Sequence, residues 1–147
     1  GFGPLRVGWI LASEEQTRHL LELTNYTYAV HGAINERLGL AVWEQRERFQ
    51  EEAQRRAAFN LEIMRSFMST QPRLHWTDPQ AGILGFVRVE GVEDTSVFAR
   101  ELMDTENVMV VPGAFFEDPS RIRVGYGNEA GLVRQALQRL GKALSPR

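Results

Sequence analysis

Two arginines, Arg6 and Arg123, differ from the other basic residues of this chain in their neighbours. Arg6 follows the turn Gly-Phe-Gly-Pro, and Arg123 lies in an alternating segment close to Gly125. A guanidinium beside a residue without a side chain leaves room for a planar anion, which it can bind through two parallel N–H···O hydrogen bonds. From these residues alone, an ordinary surface arginine at a sheet edge is favoured over an anion site.

Other kinds of site have less support in the sequence. His19, His31 and His75 have neither the helical spacing of a metal-binding pair nor a nearby carboxylate signature, so we expect no metal site. There is no G-x-S-x-G motif, which argues against a serine nucleophile on a strand-to-helix elbow. Gly1 and Gly3 form only a short G-x-G, which is more typical of a simple turn than of a phosphate-binding loop.

Composition and charge are those of an ordinary soluble domain. The chain has 147 residues, 43% of them hydrophobic, and a net charge of −2, so we expect neither a nucleic-acid nor a membrane partner. No apolar run has the length that a transmembrane helix needs. The absence of cysteine fits a reducing compartment, and we therefore predict a cytoplasmic protein.

The elements that must position the two arginines begin with a short apolar run. We predict a strand over Leu5–Leu11 and then a helix that begins at a capping box, in which Ser13 caps the helix and Gln16 reaches back to its amide. The pattern over residues 33–69 is helical and amphipathic, with Gly39 as the candidate break. The first part of the chain is thus predicted to be mainly helical.

The second half alternates strands with helices. Alternation in the segment around Arg123 places Ile122, Val124 and Tyr126 on one face of a strand and Arg121, Arg123 and Gly125 on the other. The predicted elements are a strand over Ile83–Val89, a helix from Asp94 or Thr95, strands over Val108–Val111 and Arg121–Tyr126, and a last helix capped by Asn128. This order lacks a regular βαβ rhythm and favours an α+β fold, with helices on one face of a small sheet.

Four segments resemble motifs of fold-type I, class I/II aminotransferases, which depend on pyridoxal 5'-phosphate (PLP). Gly3–Ile10 is similar to the family segment G-x-R-x-G-[WY] that follows the lysine bound to the cofactor. Val110–Phe116 is similar to V-x-x-P-G-x-x-F, Arg121–Tyr126 to the strand R-[IV]-R-[ILV]-x-[FY], and residues 131–140 to the helix E-x-L-x-x-A-L-x-R-L. The order and the distances agree over essentially the whole chain, which therefore resembles the C-terminal part of such an enzyme.

The resemblance implies a fold and two residue roles. Residues 33–147 would form the C-terminal small domain, with a small, mostly antiparallel sheet covered by helices, one of them long. Residues 1–32 would be a strand, a helix and a linker remaining from the large PLP-binding domain. Arg6 matches the arginine that binds the cofactor phosphate, and Arg123 matches the arginine that holds the α-carboxylate of the substrate. The resemblance also implies amino-acid and 2-oxo-acid substrates and a homodimer.

This sequence departs from the family pattern at two places. The Schiff-base lysine precedes the phosphate-binding arginine in the family and is absent here. We therefore expect no catalytic residue, no bound PLP and no activity in this chain alone, and PLP only in the full-length protein. After the Pro-Gly turn, Phe115 and Phe116 are followed by the acidic residues Glu117 and Asp118. Substrate specificity therefore cannot be transferred from other members of the family.

Two other functions agree with the same resemblance. The fold also serves as the effector-binding half of certain bacterial transcription regulators. Related fold-type I enzymes catalyse decarboxylation, condensation or elimination. The aminotransferase and these two alternatives are all consistent with the residues present. We predict the aminotransferase.

Overall fold

The computed structural model describes residues 2–27 and 32–144, so Gly1 and His31, considered above, lie outside the described residues. The chain divides into two compact units, Gly1–Glu51 and Glu52–Arg147. Each unit is described by itself. The division falls inside the helix Arg46–Ser69.

The first unit is helical wherever it has regular structure. A short 3-10 helix, Gly3–Leu5, precedes α1 (Glu14–Thr27) and α2 (Ala33–Glu44), and α3 (Arg46–Ser69) starts in this unit. The backbone amide of Gln16 donates to Ser13 Oγ at 3.3 Å, and that of Ser13 donates to Gln16 Oε1 at 3.3 Å. The predicted capping box at the start of α1 is therefore confirmed.

The strand predicted over Leu5–Leu11 is wrong. Leu5 ends the 3-10 helix, Arg6 has a left-handed backbone, and residues 6–13 have no regular secondary structure. A strand is stable only when its backbone groups pair with a neighbouring strand. All strand pairing among the described residues lies in the second unit, so this apolar run has no partner strand.

The helix break predicted at Gly39 is also wrong. Helix α2 continues through Gly39 to Glu44, and Gln45 separates α2 from α3. A Cβ atom at Gly39 would lie 3.2 Å from Cγ1 of Val7, closer than most such contacts. The glycine therefore permits a close contact within the first unit and does not end the helix.

The second unit is a small antiparallel sheet with helices packed on one face. Its strands, β1 (Leu74–Trp76), β2 (Leu84–Val89), β3 (Val111–Pro112) and β4 (Arg121–Gly125), have the spatial order β1-β2-β4-β3. The rest of α3, with α4 (Thr95–Glu106) and α5 (Ala130–Leu144), completes the unit. This is the expected α+β fold, and the long helix is the 24-residue α3.

The core of this unit lies between the sheet and the three helices. The sheet contributes Val87 and Ile122, both fully buried, and the helices contribute Met64, Leu102 and Leu140, each at most 1% exposed. Along β2 and β4, buried residues alternate with exposed or half-buried ones, because successive side chains of a strand point to opposite faces of the sheet. The other sheet face, which carries Arg123, is thus free of these helices.

Two local predictions in the second unit need correction. Only Val111 and Pro112 pair with β4, although Val108 and Val110 are buried, so β3 is shorter than the predicted strand. Helix α5 is capped by Glu129, whose Oε2 accepts from the amides of Gly131 at 2.8 Å and Leu132 at 3.3 Å. Among the described residues, the side chain of Asn128, the predicted cap, accepts no hydrogen bond from the helix.

No helix in the described ranges combines the length and apolar character required to cross a membrane.

Candidate functional site

Arg123 lies near the middle of β4, an inner strand of the sheet. It is opposite Phe86 of β2 on one side and Val111 of β3 on the other. Because Ile122 and Val124 point into the core, Arg123 lies on the face that the helices leave open. Rigid pairing on both sides fixes where this half-buried side chain leaves the backbone.

The guanidinium of Arg123 rests on an aromatic ring. Its Cζ lies 4.9 Å from the ring centroid of Phe116. Within residues 2–27 and 32–144, Arg123 makes no ion pair and no hydrogen bond through its side chain. A cation–π contact does not use the hydrogen-bond donors in the plane of the guanidinium. Those N–H groups of Arg123 therefore remain available to an anion.

Arg121 lies two residues away on the same face, but its guanidinium donates hydrogen bonds to other residues of the protein. Its Nε donates to Asp118 Oδ2 at 2.8 Å and its Nη1 donates to the carbonyl of Phe86 at 3.3 Å. The hydroxyl of Ser120 and the Arg121 guanidinium, in that order, lower the pKa of the Asp118 carboxyl. Arg121 thus has its own carboxylate, which leaves Arg123 as the better binder of a second one.

An aromatic pair joins the two arginines. Phe86 and Phe116 meet edge to face with ring centroids 5.9 Å apart. Cζ of Arg121 lies 5.5 Å from the Phe86 ring. Arg121, Phe86, Phe116 and Arg123 therefore form one column on the open face, which we call the Arg–Phe column.

A tight turn places Phe116 beside Arg123. Phe116 ends a 3-10 helix, Gly113–Phe116, that follows β3 directly. A Cβ atom at Gly113 would overlap the carbonyl oxygens of Asp118 and Arg121, so this position requires glycine. The amide of Asp118 donates to the Gly113 carbonyl at 3.1 Å and closes the turn.

Gly125 keeps the space beside Arg123 open, as the sequence indicated. It is exposed on the same face of β4, and a Cβ atom there would meet only Leu84 Cδ2, at 3.8 Å. The sequence did not indicate the Arg–Phe column. Phe116 belongs to the V-x-x-P-G-x-x-F segment and was the available signal, but its contact with Arg123 depends on the pairing of β3 with β4.

Arg6 lies in the first unit, directly after the 3-10 helix Gly3–Leu5. Its backbone is left-handed, with φ 54° and ψ 31°, and its amide donates to the Gly3 carbonyl at 3.1 Å. Its side chain is exposed and has no ion pair among the described residues. Neither Arg6 nor Arg123 thus has a carboxylate partner among the described residues, and the binding of one ligand by both stays a prediction.

The two histidines that the structure describes are both exposed. His75 Nε2 lies 3.1 Å from Glu90 Oε2 at the surface, and His19 is exposed on α1. Across the described ranges, no group of three or more His, Cys, Asp and Glu side chains is arranged to hold a metal ion.

Comparison with models of protein families identifies the family of this chain. The model for aminotransferase class I and II matches residues 1–140. This chain belongs to the aminotransferase class I and II family.

One relative in sequence and two solved structures resemble this chain at low identity. The chain is 21% identical over 141 residues to an aspartate aminotransferase from Bacillus subtilis (strain 168), covering 92% of this chain and 36% of that protein. A PLP-dependent aminotransferase from Streptococcus suis 89-1591 superposes with a TM-score of 0.91 at 22% identity, covering 95% of this chain and 37% of that one. A PLP-dependent cyclase, OrfR, superposes with a TM-score of 0.88 at 23% identity, covering 95% and 39%.

These likenesses confirm the fold of this class I and II family member. The chain spans little more than a third of the length of the relatives it matches. Sequence identities below 25% are sufficient to assign the fold but do not identify the substrate.

Proposed function

We propose that this chain carries the carboxylate-binding arginine of a PLP-dependent aminotransferase, which transfers an amino group between an α-amino acid and a 2-oxo acid. The observation that carries the proposal is the difference between the two arginines on β4. Arg121 is paired with Asp118, whereas Arg123 has no carboxylate partner among the described residues. A fixed guanidinium without a partner, on an open face, suits a ligand carboxylate.

Arg123 would bind and orient the substrate. Two parallel N–H···O bonds fix both the position and the plane of a carboxylate. Holding the α-carboxylate also restricts rotation of the neighbouring Cα–H bond, which is a positioning effect. The inner-strand location of Arg123 supports this role because both neighbouring strands restrain its backbone.

Arg6 would bind the phosphate of the cofactor. Its exposed guanidinium, which follows a tight turn and has no ion pair with any described residue, fits a phosphate dianion, which needs a fixed cation. When bound, PLP supplies an electron sink for chemistry at the substrate Cα. In this proposal the chain's own contribution is to hold the two acidic groups.

The 147-residue chain by itself would not transaminate. It contains one lysine, Lys142, on α5. Lys142 Nζ lies 2.7 Å from Glu106 Oε1 at the end of α4, in an ion pair that uses its ammonium group. This lysine lies outside the segment that matches the family's cofactor-binding motif, so covalent attachment of PLP beside Arg6 would need another lysine.

The chain would also associate with itself, as a homodimeric enzyme would. Its first unit exposes several large apolar side chains, among them Ile10 at 72%, Leu11 at 94% and Tyr26 at 89%. Contiguous exposed apolar surface commonly marks an interface. A second copy of the chain is the proposed partner.

A titration with pyruvate, a simple 2-oxo acid, tests the role of Arg123. The side-chain Nε–H signals of ¹⁵N-labelled chain are followed while pyruvate is added at constant ionic strength. Pyruvate is expected to shift the Arg123 signal more than those of Arg121 and Arg88. Pyruvamide, which lacks the carboxylate, is expected to cause no such selective shift. Arg123→Gln should abolish the saturable response and Arg121→Gln should retain it. Equal shifts at all three arginines would refute the proposal.

The role of Arg6 is tested separately with the phosphate as the variable. In the complete protein, pyridoxal 5'-phosphate is expected to bind more tightly than pyridoxal, and Arg6→Gln should remove that difference. Arg18→Gln, at another exposed arginine of the first unit, is the matched control. A phosphate preference that survives Arg6→Gln would exclude Arg6 as the phosphate-binding residue.

A second candidate is a PLP enzyme that catalyses another reaction. The likeness to the cyclase OrfR favours it, because the same fold serves that chemistry. Adding an amino acid and a 2-oxo acid to the complete protein separates the two. Exchange of the amino group identifies a transferase, whereas conversion of the amino acid without the 2-oxo acid identifies the alternative.

A further inference from the structure

The Arg–Phe column has one end bound within the protein and one end open. At the Arg121 end, Asp118 and the Phe86 carbonyl accept hydrogen bonds from the guanidinium. At the Arg123 end, the described residues provide no hydrogen bond or ion pair to the guanidinium, which interacts with the ring of Phe116. Two guanidinium groups on one strand face are thus held by different means.

The group that contacts each guanidinium determines whether that arginine can still bind a carboxylate. A carboxylate partner neutralises the guanidinium and occupies the N–H groups that an incoming carboxylate would need. An aromatic face attracts the cation through its quadrupole and leaves those N–H groups unoccupied. An arginine that must bind a ligand carboxylate without losing its orientation is therefore better supported by a ring than by an acid.

Phe116 is itself held in place from two directions. The turn after β3 fixes its backbone, since Gly113 packs against the carbonyls of Asp118 and Arg121. Its ring contacts Phe86, which lies opposite Arg123 in the β2–β4 register. The support under Arg123 is thus connected to the sheet on one side and to the Asp118 turn on the other.

We propose that Phe116 is a positioning residue, whose ring orients the Arg123 guanidinium for a carboxylate without using its hydrogen-bond donors. The inference rests on the proposed function, because it assumes that Arg123 binds a carboxylate. It adds that the aromatic character of Phe116, and not only its apolar bulk, sets the strength of that binding. The same reasoning explains why Asp118 serves Arg121 and not Arg123.

Three variants of the chain separate these contributions. Phe116→Leu keeps apolar bulk and removes the ring, whereas Phe116→Tyr keeps the ring. Phe115→Leu is the matched control, because Phe115 is adjacent, 77% exposed and makes no ring contact within the described residues. Retention of the methyl signals of buried Ile122 and Val124 shows that each variant is folded.

The first measurement is the order parameter of the Arg123 Nε–H group, without ligand. In the wild-type chain we expect it to approach that of Arg121, which is hydrogen-bonded. It should exceed that of Arg88, which is exposed and makes no such bond among the described residues. It should fall toward the Arg88 value in Phe116→Leu and remain high in Phe116→Tyr and Phe115→Leu.

The second measurement is the dissociation constant for acetate, read from the Arg123 signal at constant ionic strength. Phe116→Leu is expected to weaken binding about two- to fivefold, the effect of losing an exposed cation–π contact. Phe116→Tyr and Phe115→Leu should remain within about twofold of wild type on the same scale.

Two outcomes would overturn the proposal. One is an unchanged Arg123 order parameter and acetate affinity in Phe116→Leu, and the other is a failure of Phe116→Tyr to restore them. If Phe116→Leu unfolds, the wild-type chain still decides, because an Arg123 group as mobile as Arg88 contradicts support by the ring. Absence of acetate binding at an ordered Arg123 would instead refute the proposed function and leave the support by Phe116 intact.

Discussion

The side-chain amide of Asn60 donates hydrogen bonds of 2.7 Å to the backbone carbonyls of Tyr126 and Asn128. Asn60 is fully buried on α3, and Tyr126 directly follows β4. One side chain thus ties the long helix to the end of the strand that carries Arg123. The adjacent loop has no regular structure of its own to satisfy those carbonyls.

Removing this amide should destabilise the second unit. Asn60→Ala would leave two carbonyls without their donor, and we expect a loss of about 2–4 kcal/mol in the free energy of unfolding, measured with urea. Asn60→Asp, of nearly the same shape but without the donor, should cost at least as much. Gln138→Ala, on the exposed face of α5, should change stability by less than about 0.5 kcal/mol. Equal effects at Asn60 and Gln138 would contradict the structural role of this amide.

The turn that presents Phe116 should not tolerate a side chain at Gly113. Gly113→Ala would place a methyl group against the backbone carbonyls of Asp118 and Arg121, the first residue of β4, so we expect a loss of about 2 kcal/mol or more. Gly125→Ala is the control, because its added methyl meets only Leu84, and its effect should stay within about 1 kcal/mol. Thermal or urea unfolding measures both, and a harmless Gly113→Ala would show that the turn is more adaptable than its geometry indicates.

Acid should weaken the Asp118 turn. Hydrogen bonds from Ser120 and then Arg121 hold the pKa of the Asp118 carboxyl below its ordinary value. Its contribution to stability is therefore complete above the unfolded-state pKa of about 4 and is lost as the pH falls through the lower folded-state pKa. Asp118→Asn should flatten the dependence of the unfolding free energy on pH in this acid range.

A second aspartate controls for the general effect of acid. Asp104 makes no hydrogen bond or ion pair through its side chain within the described residues. Asp104→Asn should therefore keep the wild-type dependence on pH. If Asp118→Asn keeps it as well, the hydrogen bonds of that carboxyl do not stabilise the folded state.

Self-association should depend on the exposed apolar residues of the first unit. Light scattering of the purified chain is expected to show a mass that increases with concentration, because Ile10, Leu11 and Ile34 are more than two-thirds exposed. The substitution Leu11→Glu should reduce the association. Val97→Glu, at an exposed apolar position on α4, should not. A monomer at every concentration would refute the proposed partner.

Local patterns predicted those features whose cause is local. The capping box of Ser13 and Gln16 needs only two residues three positions apart, and α1 begins there. Alternation along β4 determined that Ile122 and Val124 would be buried and that Arg123 would lie on the other face. The family motifs then connected Arg6 and Arg123 with anion binding, and those roles, like the domain division at residue 33, stay predictions.

Features that depend on distant partners were not predictable in the same way. An apolar run such as Leu5–Leu11 becomes a strand only if another strand pairs with it, and none does among the described residues. Gly39 resembled a helix break, but its small size serves a contact with Val7, and Glu129 took the capping position expected for Asn128.

The sequence by itself determined the helical and strand periodicities, the family and the two arginines of β4 that face away from the core. Only the tertiary structure decided which of Arg121 and Arg123 remains available to a ligand. Both alternate identically along one strand, and the difference arises from residues brought to them by the folding of other segments. The Asp118 turn supplies a carboxylate to Arg121, and the turn after β3 supplies the Phe116 ring to Arg123.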